Sequence, residues 1–248
     1  MQRARIGTMG WSYDFWVGSL YPSGTKAGDY LAEYSKHFDT VEANSTFYRI
    51  PSERMVRNWK ARSRHGFVIA AKFPMAITHG RSLIDDDGKL EAFLSRISLL
   101  GEKLGPLLIQ LPPSFKPQEY GALRDLLWAL PGGHRYAVEF RYRGWLEERV
   151  YALLRDRGIA LVLVDHPWMP ALDVVTSDFT YIRWQGDRRK VRGDTGRAEI
   201  DRKGELNDWA RRIMGFLERS IDVYGYFSKF YSGHPPEDVE YLLEQLGR

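Results

Sequence analysis

Strand-like and helix-like segments alternate along this chain, and this alternation is the feature that most constrains its fold. Eight short runs rich in β-branched and apolar residues recur along the 248 residues, and most are followed by apolar residues at helical spacing. About eight β-then-α units in a chain of this length predict an α/β fold, the (β/α)8 TIM barrel. A doubly wound open sheet is the alternative, although no G-x-G-x-x-G follows the first strand, which disfavours a dinucleotide-binding version. We therefore expect a single TIM-barrel domain over residues 1–248.

Capping and turn residues set the limits of the predicted elements. Ser52 is placed to cap the second helix, and Gly158 follows the helix that precedes the sixth strand. Pro167 and Pro170 interrupt the helical pattern between the sixth and seventh strands, so we expect an irregular or missing helix there. The predicted strands are residues 5–9, 40–44, 67–72, 107–111, 136–141, 159–165, 179–184 and 221–227, and the predicted helices are residues 29–38, 89–104, 119–130, 146–156, 205–218 and 236–246, with a further helix opening at residue 51.

Composition excludes several classes of protein. No run of about 18 apolar residues occurs, and the first residues lack the apolar core of a signal peptide, so we expect no membrane span and a cytoplasmic location. Because the chain has no cysteine, disulfides, zinc–thiolate sites and thiol nucleophiles are excluded. A formal net charge of +4 permits an anionic ligand without requiring nucleic acid.

Polar side chains at the ends of the predicted strands locate a candidate site. In residues 40–44, Glu42 and Asn44 share a face with Thr40, although a strand covered on both sides should be apolar on both. Active sites of TIM barrels lie at the C-terminal ends of the strands, so such residues should gather at one mouth. The polar residues that we assign to this mouth are Glu42, Asn44, Lys72, Gln110, Glu139, Arg141, Asp165, Arg183 and Tyr226, with Trp11 in the loop after the first strand.

The residue types divide into candidate roles. Glu42, Glu139 and Asp165 are the candidate catalytic carboxylates, since carboxylates serve as general acids and bases or hold sugar hydroxyls. A two-carboxylate glycosidase is one possible form of this chemistry. The remaining mouth residues are expected to bind the substrate, and the arginines and the lysine suit phosphate or carboxylate groups.

The same charges admit two other interpretations. The three carboxylates could bind a divalent cation, but three nearby cationic side chains would repel it. We therefore predict no metal and no cofactor, with a divalent metal as the alternative. The mouth could instead hold structural ion pairs, such as Glu139 with Arg183 or Glu42 with Lys72, because a buried charge needs a partner.

Two loops and three histidines border the predicted mouth. The aromatic loop at residues 10–21 could stack on a sugar or base, or pack as a lid on the rim. The arginine-rich loop at residues 185–203 could bind phosphate, although a solvated surface loop is the commoner explanation, and its three glycines indicate mobility. We interpret His79 as a surface-loop residue that could also reach the mouth, and His234 as either a rim group or a loop residue. Alternation points His166 away from the face that carries Asp165.

Five short segments, taken together, carry a resemblance to a known family. They are Gly-Thr-Met-Gly-Trp-Ser-Tyr at 7–13, Val-Glu-Ala-Asn-Ser-Thr-Phe-Tyr at 41–48, Gln-Leu-Pro-Pro at 110–113, Ala-Val-Glu-Phe-Arg at 137–141 and Tyr-Ile-Arg at 181–183. In this order they resemble the YecE-like family, the domain of unknown function numbered 72. The resemblance implies a TIM barrel related to sugar isomerases. Glu42, Asn44, Glu139, Arg141, Asp165 and Arg183 fall on the characteristic polar motifs of the family.

This chain departs from the family pattern at two places. The family often has histidine-glycine after the seventh strand, where this chain has Gln185-Gly186. It often has paired asparagines after the last strand, where this chain has Ser228-Lys229. Both departures would alter activity if those groups serve catalysis in relatives.

The sequence leaves three functions open. The first is an enzyme, an isomerase or a hydrolase, that acts on a sugar-like or phosphorylated small molecule at the barrel mouth. The second is a nucleic-acid-binding protein or a metal-dependent nuclease or phosphodiesterase that uses the acidic rim and the basic loop. The third is a non-catalytic barrel whose rim ion pairs are structural. The sequence predicts no oligomeric state.

Overall fold

Eight parallel strands build the centre of the molecule. The structure, a computed structural model, describes residues 3–80, 83 and 88–248. The strands are β1 (Ala4–Met9), β2 (Thr40–Ala43), β3 (Val68–Lys72), β4 (Leu104–Gln110), β5 (Tyr136–Glu139), β6 (Ala160–Asp165), β7 (Phe179–Trp184) and β8 (Asp222–Phe227). Each strand pairs with the next in sequence, and β8 pairs with β1, so the sheet closes. The predicted TIM-barrel fold is confirmed.

Helices surround the barrel in the order that the periodicity predicts, with one short helix, at Met75–Thr78, that the sequence did not predict. They are α1 (Tyr30–His37), α2 (Glu53–Arg62), α3 (Met75–Thr78), α4 (Lys89–Ile97), α5 (Tyr120–Ala129), α6 (Glu148–Asp156), α7 (Lys203–Glu218) and α8 (Pro235–Gln245). Ser52 caps α2 as predicted, since its side chain accepts a hydrogen bond from the Met55 amide at 3.3 Å. Residues 166–178 join β6 to β7 without a helix, as the two prolines in this segment predict. Within the described part of the chain, no helix is long and apolar enough to cross a membrane.

The helix predicted over residues 89–104 is shorter than expected. α4 ends at Ile97, a 3-10 segment covers Ser98–Lys103, and β4 begins at Leu104. Gly101 breaks the helix because its backbone takes φ 60° and ψ −126°, outside the helical region. The apolar pattern continues through this break, which explains why periodicity alone overestimates the length of the helix.

Side chains on the two faces of the barrel form two separate apolar layers. The outer layer packs against the helices, whereas the inner layer fills the barrel interior. Inside, small residues on β3, β5 and β6 (Ala70, Ala137 and Ala160) complement aromatic residues on β7 and β8. The rings of Tyr181 and Tyr226 lie 5.2 Å apart and are fully buried. These rings close the interior, so a ligand site is confined to the strand ends above them.

Candidate functional site

A buried arginine lies at the centre of the polar mouth. Arg183, on β7, donates from Nε and Nη2 to the carboxylate of Glu42 on β2, at 3.0 Å and 2.9 Å. Its Nη1 donates to Oε2 of Glu139 on β5 at 2.5 Å. All three side chains are nearly inaccessible to solvent, with Arg183 only 3% exposed. We call Glu42, Arg183 and Glu139 the ion triad.

Hydrogen bonds extend the ion triad to two further strands. Gln110, which pairs with Glu139 in the strand register, donates from Nε2 to Glu139 Oε1 at 2.7 Å. Lys72, on β3, donates from Nζ to Gln110 Oε1 at 2.7 Å. The structure therefore brings together five of the residues that the sequence assigns to the mouth, contributed by β2, β3, β4, β5 and β7. One of the two ion pairs anticipated as a structural alternative, Glu139 with Arg183, is present; the other is not, because Glu42 binds Arg183 rather than Lys72.

Donors from the protein surround the carboxylate of Glu42. Oε1 accepts from Arg183, and Oε2 accepts from both Arg183 and the Tyr181 hydroxyl, the latter at 2.7 Å. The residue is 0% exposed. These contacts hold the guanidinium of Arg183 in place, and the catalytic role expected of Glu42 stays a prediction.

Asp165 does not face the mouth, and the expectation that it does is wrong. Its Oδ2 accepts a hydrogen bond from Trp209 Nε1 of α7 at 2.8 Å, with the Tyr231 hydroxyl at 3.5 Å. Asp165 shares its face with Leu161 and Leu163, which belong to the helix-facing layer. Since both faces of β6 are apolar, the alternation could not distinguish the barrel side from the helix side.

The position after Asp165 faces the mouth instead. His166 lines a cavity of about 170 Å³ together with Glu139, Arg141, Trp168 and Gln185. Its Nδ1 accepts a hydrogen bond from the Trp168 amide at 3.2 Å, which places the proton of the neutral ring on Nε2. Burial and the Arg141 charge lower the pKa of His166. With Asp165 assigned to the mouth, the alternation predicts that His166 points away from it. Because Asp165 instead lies on the helix side, the same alternation turns His166 towards the cavity.

Arg141 lines the same cavity, and its guanidinium has N–H donors that are not used within the described part of the chain. Its side chain is 39% exposed, and its Nε lies 4.0 Å from Glu139 Oε1. That oxygen already accepts a hydrogen bond from Gln110. Arg141 therefore retains donors that can reach a ligand.

Glu139 borders the cavity but remains ionised. Burial alone would raise the pKa of Glu139, but the charge and hydrogen bond of Arg183, with help from Arg141 and Lys72, bring this pKa below its usual value. A carboxyl group with a lowered pKa is a poor general acid at neutral pH. Glu139 is suited to orient donors and to stabilise positive charge.

Lys72 is a buried cation without a carboxylate partner. It is 8% exposed, and its Nζ lies 3.7 Å from the centroid of the Phe47 ring. Within the described residues no carboxylate oxygen approaches Nζ to within the 4.0 Å of a salt bridge. Burial, followed by the repulsion of Arg183, lowers the pKa of Lys72 to about 8.

The three remaining candidates occupy different depths. Asn44 is half-buried at the end of β2. Trp11 is half-buried with its ring edge-on to Trp59 at 5.5 Å. Tyr226 lies below the mouth, where it is fully buried and its hydroxyl bonds the Thr40 hydroxyl at 2.9 Å. The expectation that Tyr226 contacts substrate is therefore wrong, because it is a core residue of the barrel.

The loop after β7 is packed against its neighbours. Its glycines, expected to give mobility, have positive φ of 65° to 68°, and a Cβ at each would lie 2.0–2.6 Å from a backbone oxygen of an adjacent loop. The carboxylate of Glu199 also accepts hydrogen bonds from the amides of Arg192 and Gly193, at 2.9 Å and 2.8 Å. The three glycines are Gly186, Gly193 and Gly196. Close backbone approach, rather than flexibility, explains them.

The geometry of the described residues does not support the alternative of a divalent metal. Over residues 3–80, 83 and 88–248, no group of three or more histidine and carboxylate side chains is arranged to hold a metal ion.

The fold defines a TIM-barrel protein with a cluster of polar side chains at the C-terminal ends of its strands. The family model described as "Protein of unknown function DUF72" matches residues 5–248, and the chain belongs to this family. The UPF0759 protein YecE of Escherichia coli K12 is 34% identical over 165 residues, which cover 64% of this chain and 58% of YecE. The UPF0759 protein YunF of Bacillus subtilis 168 is 27% identical over 97% of this chain and 94% of its own length.

Solved structures agree with the family assignment. A DUF72 family protein from Thermotoga maritima MSB8 superposes with a TM-score of 0.81 at 27% identity and covers 99% of both chains. A DUF72 family protein from Enterococcus faecalis V583 also has a TM-score of 0.81, at 19% identity, over 99% of this chain and 96% of its own. A D-psicose 3-epimerase from Clostridium cellulolyticum H10 has a TM-score of 0.52 at 10% identity over 98% of this chain and 95% of its own, a likeness that shows the fold alone.

Removal of the central charge of the ion triad should destabilise the protein strongly. We expect Arg183→Met to lower the free energy of unfolding by roughly 3–5 kcal/mol, because it removes the cation that pairs with both buried carboxylates and leaves Glu42 with no cation within salt-bridge distance among the described residues. Arg211→Met is the matched control, since Arg211 forms a pair with Asp208 that is 67% exposed on both sides and should contribute about 1 kcal/mol or less. Urea unfolding at pH 7 measures both variants, and equal losses would contradict a structural role for the triad.

Removal of the Lys72 charge should stabilise the protein below pH 8, in contrast to removal of the Arg183 charge. The pKa of Lys72 is about 8 in the folded state and near 10.5 in the unfolded state, so folding carries the full cost of burying the ammonium below pH 8. Between these two values the unfolded chain holds more protons, and the stability of the parent protein rises with pH. At pH 6.5 we expect Lys72→Met to raise the free energy of unfolding by up to roughly 3 kcal/mol, because no ammonium has to be buried. The lost hydrogen bond to Gln110 should reduce this gain by about 1 kcal/mol.

The gain from Lys72→Met should shrink as the pH rises to 9.5. Urea unfolding of the parent and the variant at pH 6.5 and pH 9.5 measures the difference. A variant that is less stable than the parent by the same amount at both values would show that Lys72 is a structural residue.

Proposed function

We propose that this protein is an enzyme that binds a small anionic, sugar-like molecule at the C-terminal mouth of the barrel and transfers protons on it. The observation that carries the proposal is a pair of weakly neutralised cations, Lys72 and Arg141. Among the described residues Lys72 has no carboxylate within 4.0 Å and donates to the neutral amide oxygen of Gln110. Arg141 lies 4.0 Å from Glu139, a carboxylate that it shares with Arg183.

The charges of the mouth favour an anion. Its charged side chains are three cations (Lys72, Arg141 and Arg183) and two carboxylates (Glu42 and Glu139), which leaves one positive charge in excess. A phosphate or carboxylate group would compensate this charge, and the exposed fork of Arg141 suits bidentate contact with either group.

The size of the cavity favours a compact ligand. Its volume is about 170 Å³. Pockets for drug-sized molecules are usually of about 300–1,000 Å³, so a molecule of sugar size fits this mouth better than a larger one.

Two groups of the mouth support proton transfer. His166 lines the cavity, and its lowered pKa leaves a neutral imidazole that can accept a proton at pH 7. Lys72, on β3, has an amine that titrates near pH 8 and can exchange a proton close to physiological pH. The ionised carboxylate of Glu139 is linked to Lys72 through Gln110, and it lines the cavity together with His166. Isomerisation and hydrolysis both use such groups. The names of the curated relatives state no activity.

Loss of the Arg141 charge should weaken anion binding. We expect inorganic phosphate and sugar phosphates such as ribose 5-phosphate to raise the Tm of the parent protein, and Arg141→Met to weaken this binding roughly 10- to 100-fold, as for the loss of charged hydrogen bonds. Arg143→Met is the matched control, because Arg143 is an exposed arginine two residues along whose one hydrogen bond within the described residues goes to the Trp168 carbonyl oxygen, at 3.5 Å. Affinity should also fall as the pH rises through about 8, where Lys72 loses its charge.

Two results would oppose this proposal. One is the absence of any stabilisation of the parent by phosphate or sugar phosphates. The other is an equal loss of affinity in the Arg141 and Arg143 variants, which would indicate diffuse attraction to a basic surface rather than a defined site.

Single-stranded nucleic acid is a second candidate ligand, favoured by the aromatic rim. Trp168 is 58% exposed at the cavity wall, and the Arg189 guanidinium lies 4.8 Å from its ring. Bases stack on such platforms, and phosphates pair with the surrounding cations. Binding of an oligonucleotide should then fall steeply between 50 and 200 mM salt and weaken further in Trp168→Ala. No binding at 50 mM salt would dismiss this candidate.

A further inference from the structure

We propose that Lys72 is the catalytic nucleophile of this mouth and forms an imine with an aldehyde or ketone group of the substrate. The inference rests on the proposed function, and it narrows the ligand class to small anionic carbonyl compounds. Four features of the lysine support it: its hydrogen bonding, its contrast with another buried lysine, its acidity and its distance from the anion-binding arginine.

The hydrogen bonding of Lys72 matches the product of imine formation. In the described structure Nζ donates a single hydrogen bond, to the neutral Oε1 of Gln110 at 2.7 Å. A protonated imine keeps one N–H, so this contact survives the reaction unchanged. The Phe47 ring lies 3.7 Å from Nζ and offers a flat apolar wall that also stabilises a cation.

A second buried lysine, Lys103, has the full set of hydrogen bonds expected of a structural ammonium group. Lys103 is 7% exposed, close to the 8% of Lys72. Its Nζ donates to the Lys60 carbonyl at 2.7 Å and to the carbonyl and hydroxyl oxygens of Ser63 at 2.5 Å and 3.2 Å. All three N–H bonds of Lys103 are thus used, and imine formation would break two of these contacts.

The acidity of Lys72 makes the amine available. Only the neutral amine attacks a carbonyl, and at pH 8 an ordinary lysine with a pKa near 10.4 is neutral in less than about 1% of molecules. Burial, with the repulsion of Arg183, lowers the pKa of Lys72 to about 8, so roughly half of the molecules carry the neutral amine at that pH.

The position of Arg141 defines the rest of the ligand. Lys72 ends β3 and Arg141 follows β5, with one strand between them, so their strands are about 10 Å apart. Lys72 contacts Gln110 and Arg141 contacts Glu139, and these two residues are hydrogen-bonded to each other. A carbonyl at Lys72 and an anionic group at Arg141 would therefore belong to one small molecule, a few bonds apart.

The step balances without an oxidant or a reductant. Nζ forms a bond to the carbonyl carbon, and the carbonyl oxygen takes one proton from the nitrogen and one from solvent. The carbon–oxygen bond then breaks and water leaves. The product is a protonated imine, which polarises the adjacent carbon atoms for the proton transfers proposed above.

Reductive trapping on the full chain tests this proposal. The protein is incubated at pH 8 with dihydroxyacetone phosphate, glyoxylate or neutral glycolaldehyde and sodium cyanoborohydride, and labelled lysines are located by peptide mass spectrometry. Lys103 is the buried control and Lys36, whose side chain is 63% exposed, is the exposed control within the same molecule. We expect label on Lys72 at least about tenfold faster than on either control, because its pKa of about 8 makes the neutral amine available at this pH and because the N–H bonds of Lys103 are all used in hydrogen bonds.

Variants and the anion separate the possible outcomes. Lys72→Arg keeps the positive charge, so phosphate should still stabilise this variant. The rapid reductive labelling at residue 72 should be absent. Label on Lys72 no faster than on Lys103, in a protein that phosphate stabilises, would overturn the imine and leave the proposed function intact. Fast label on Lys72 by glycolaldehyde, in a protein that phosphate does not stabilise, would support the nucleophile and remove the anion site.

Discussion

A guanidinium buried inside the barrel constrains much of the mouth. A charge in this position is tolerated only when carboxylates surround it, and Arg183 meets this condition with Glu42 from β2 and Glu139 from β5. The three strands are thereby linked across the barrel. Since Arg183 and Tyr181 enclose the carboxylate of Glu42, we propose Lys72, Arg141 and His166, which have fewer partners, as the groups that act on a ligand.

The aromatic interior beneath the triad determines how deep a ligand can reach. Tyr181 and Tyr226 occupy the barrel directly below the polar mouth, and burial raises the pKa of both phenols well above the usual value. Tyr181 therefore stays protonated and donates to Glu42. The same side chain fills the core and supports the ion triad, so packing and electrostatics are coupled at this level of the barrel.

The departure of this chain from the family pattern at residue 185 lies at the site itself. Gln185 lines the cavity together with His166 and Arg141, so an amide stands where the family often carries an imidazole. His166 supplies an imidazole from the neighbouring strand end. The glycines of the loop after β7 hold that loop against the loops beside it, which keeps this side of the mouth in a defined shape.

The sequence alone determined the barrel and much of its mouth. The alternation of strands and helices predicts the fold, and polar residues on otherwise apolar strands identify Glu42, Glu139 and Arg183, because a buried strand rarely carries charges without a reason. Only the tertiary structure decided which charges pair, that Asp165 faces α7 while His166 faces the cavity, and that Lys72 lacks a carboxylate. The physical reason is that β6 is apolar on both faces, and that pairing and pKa values depend on distances between strands that are remote in sequence.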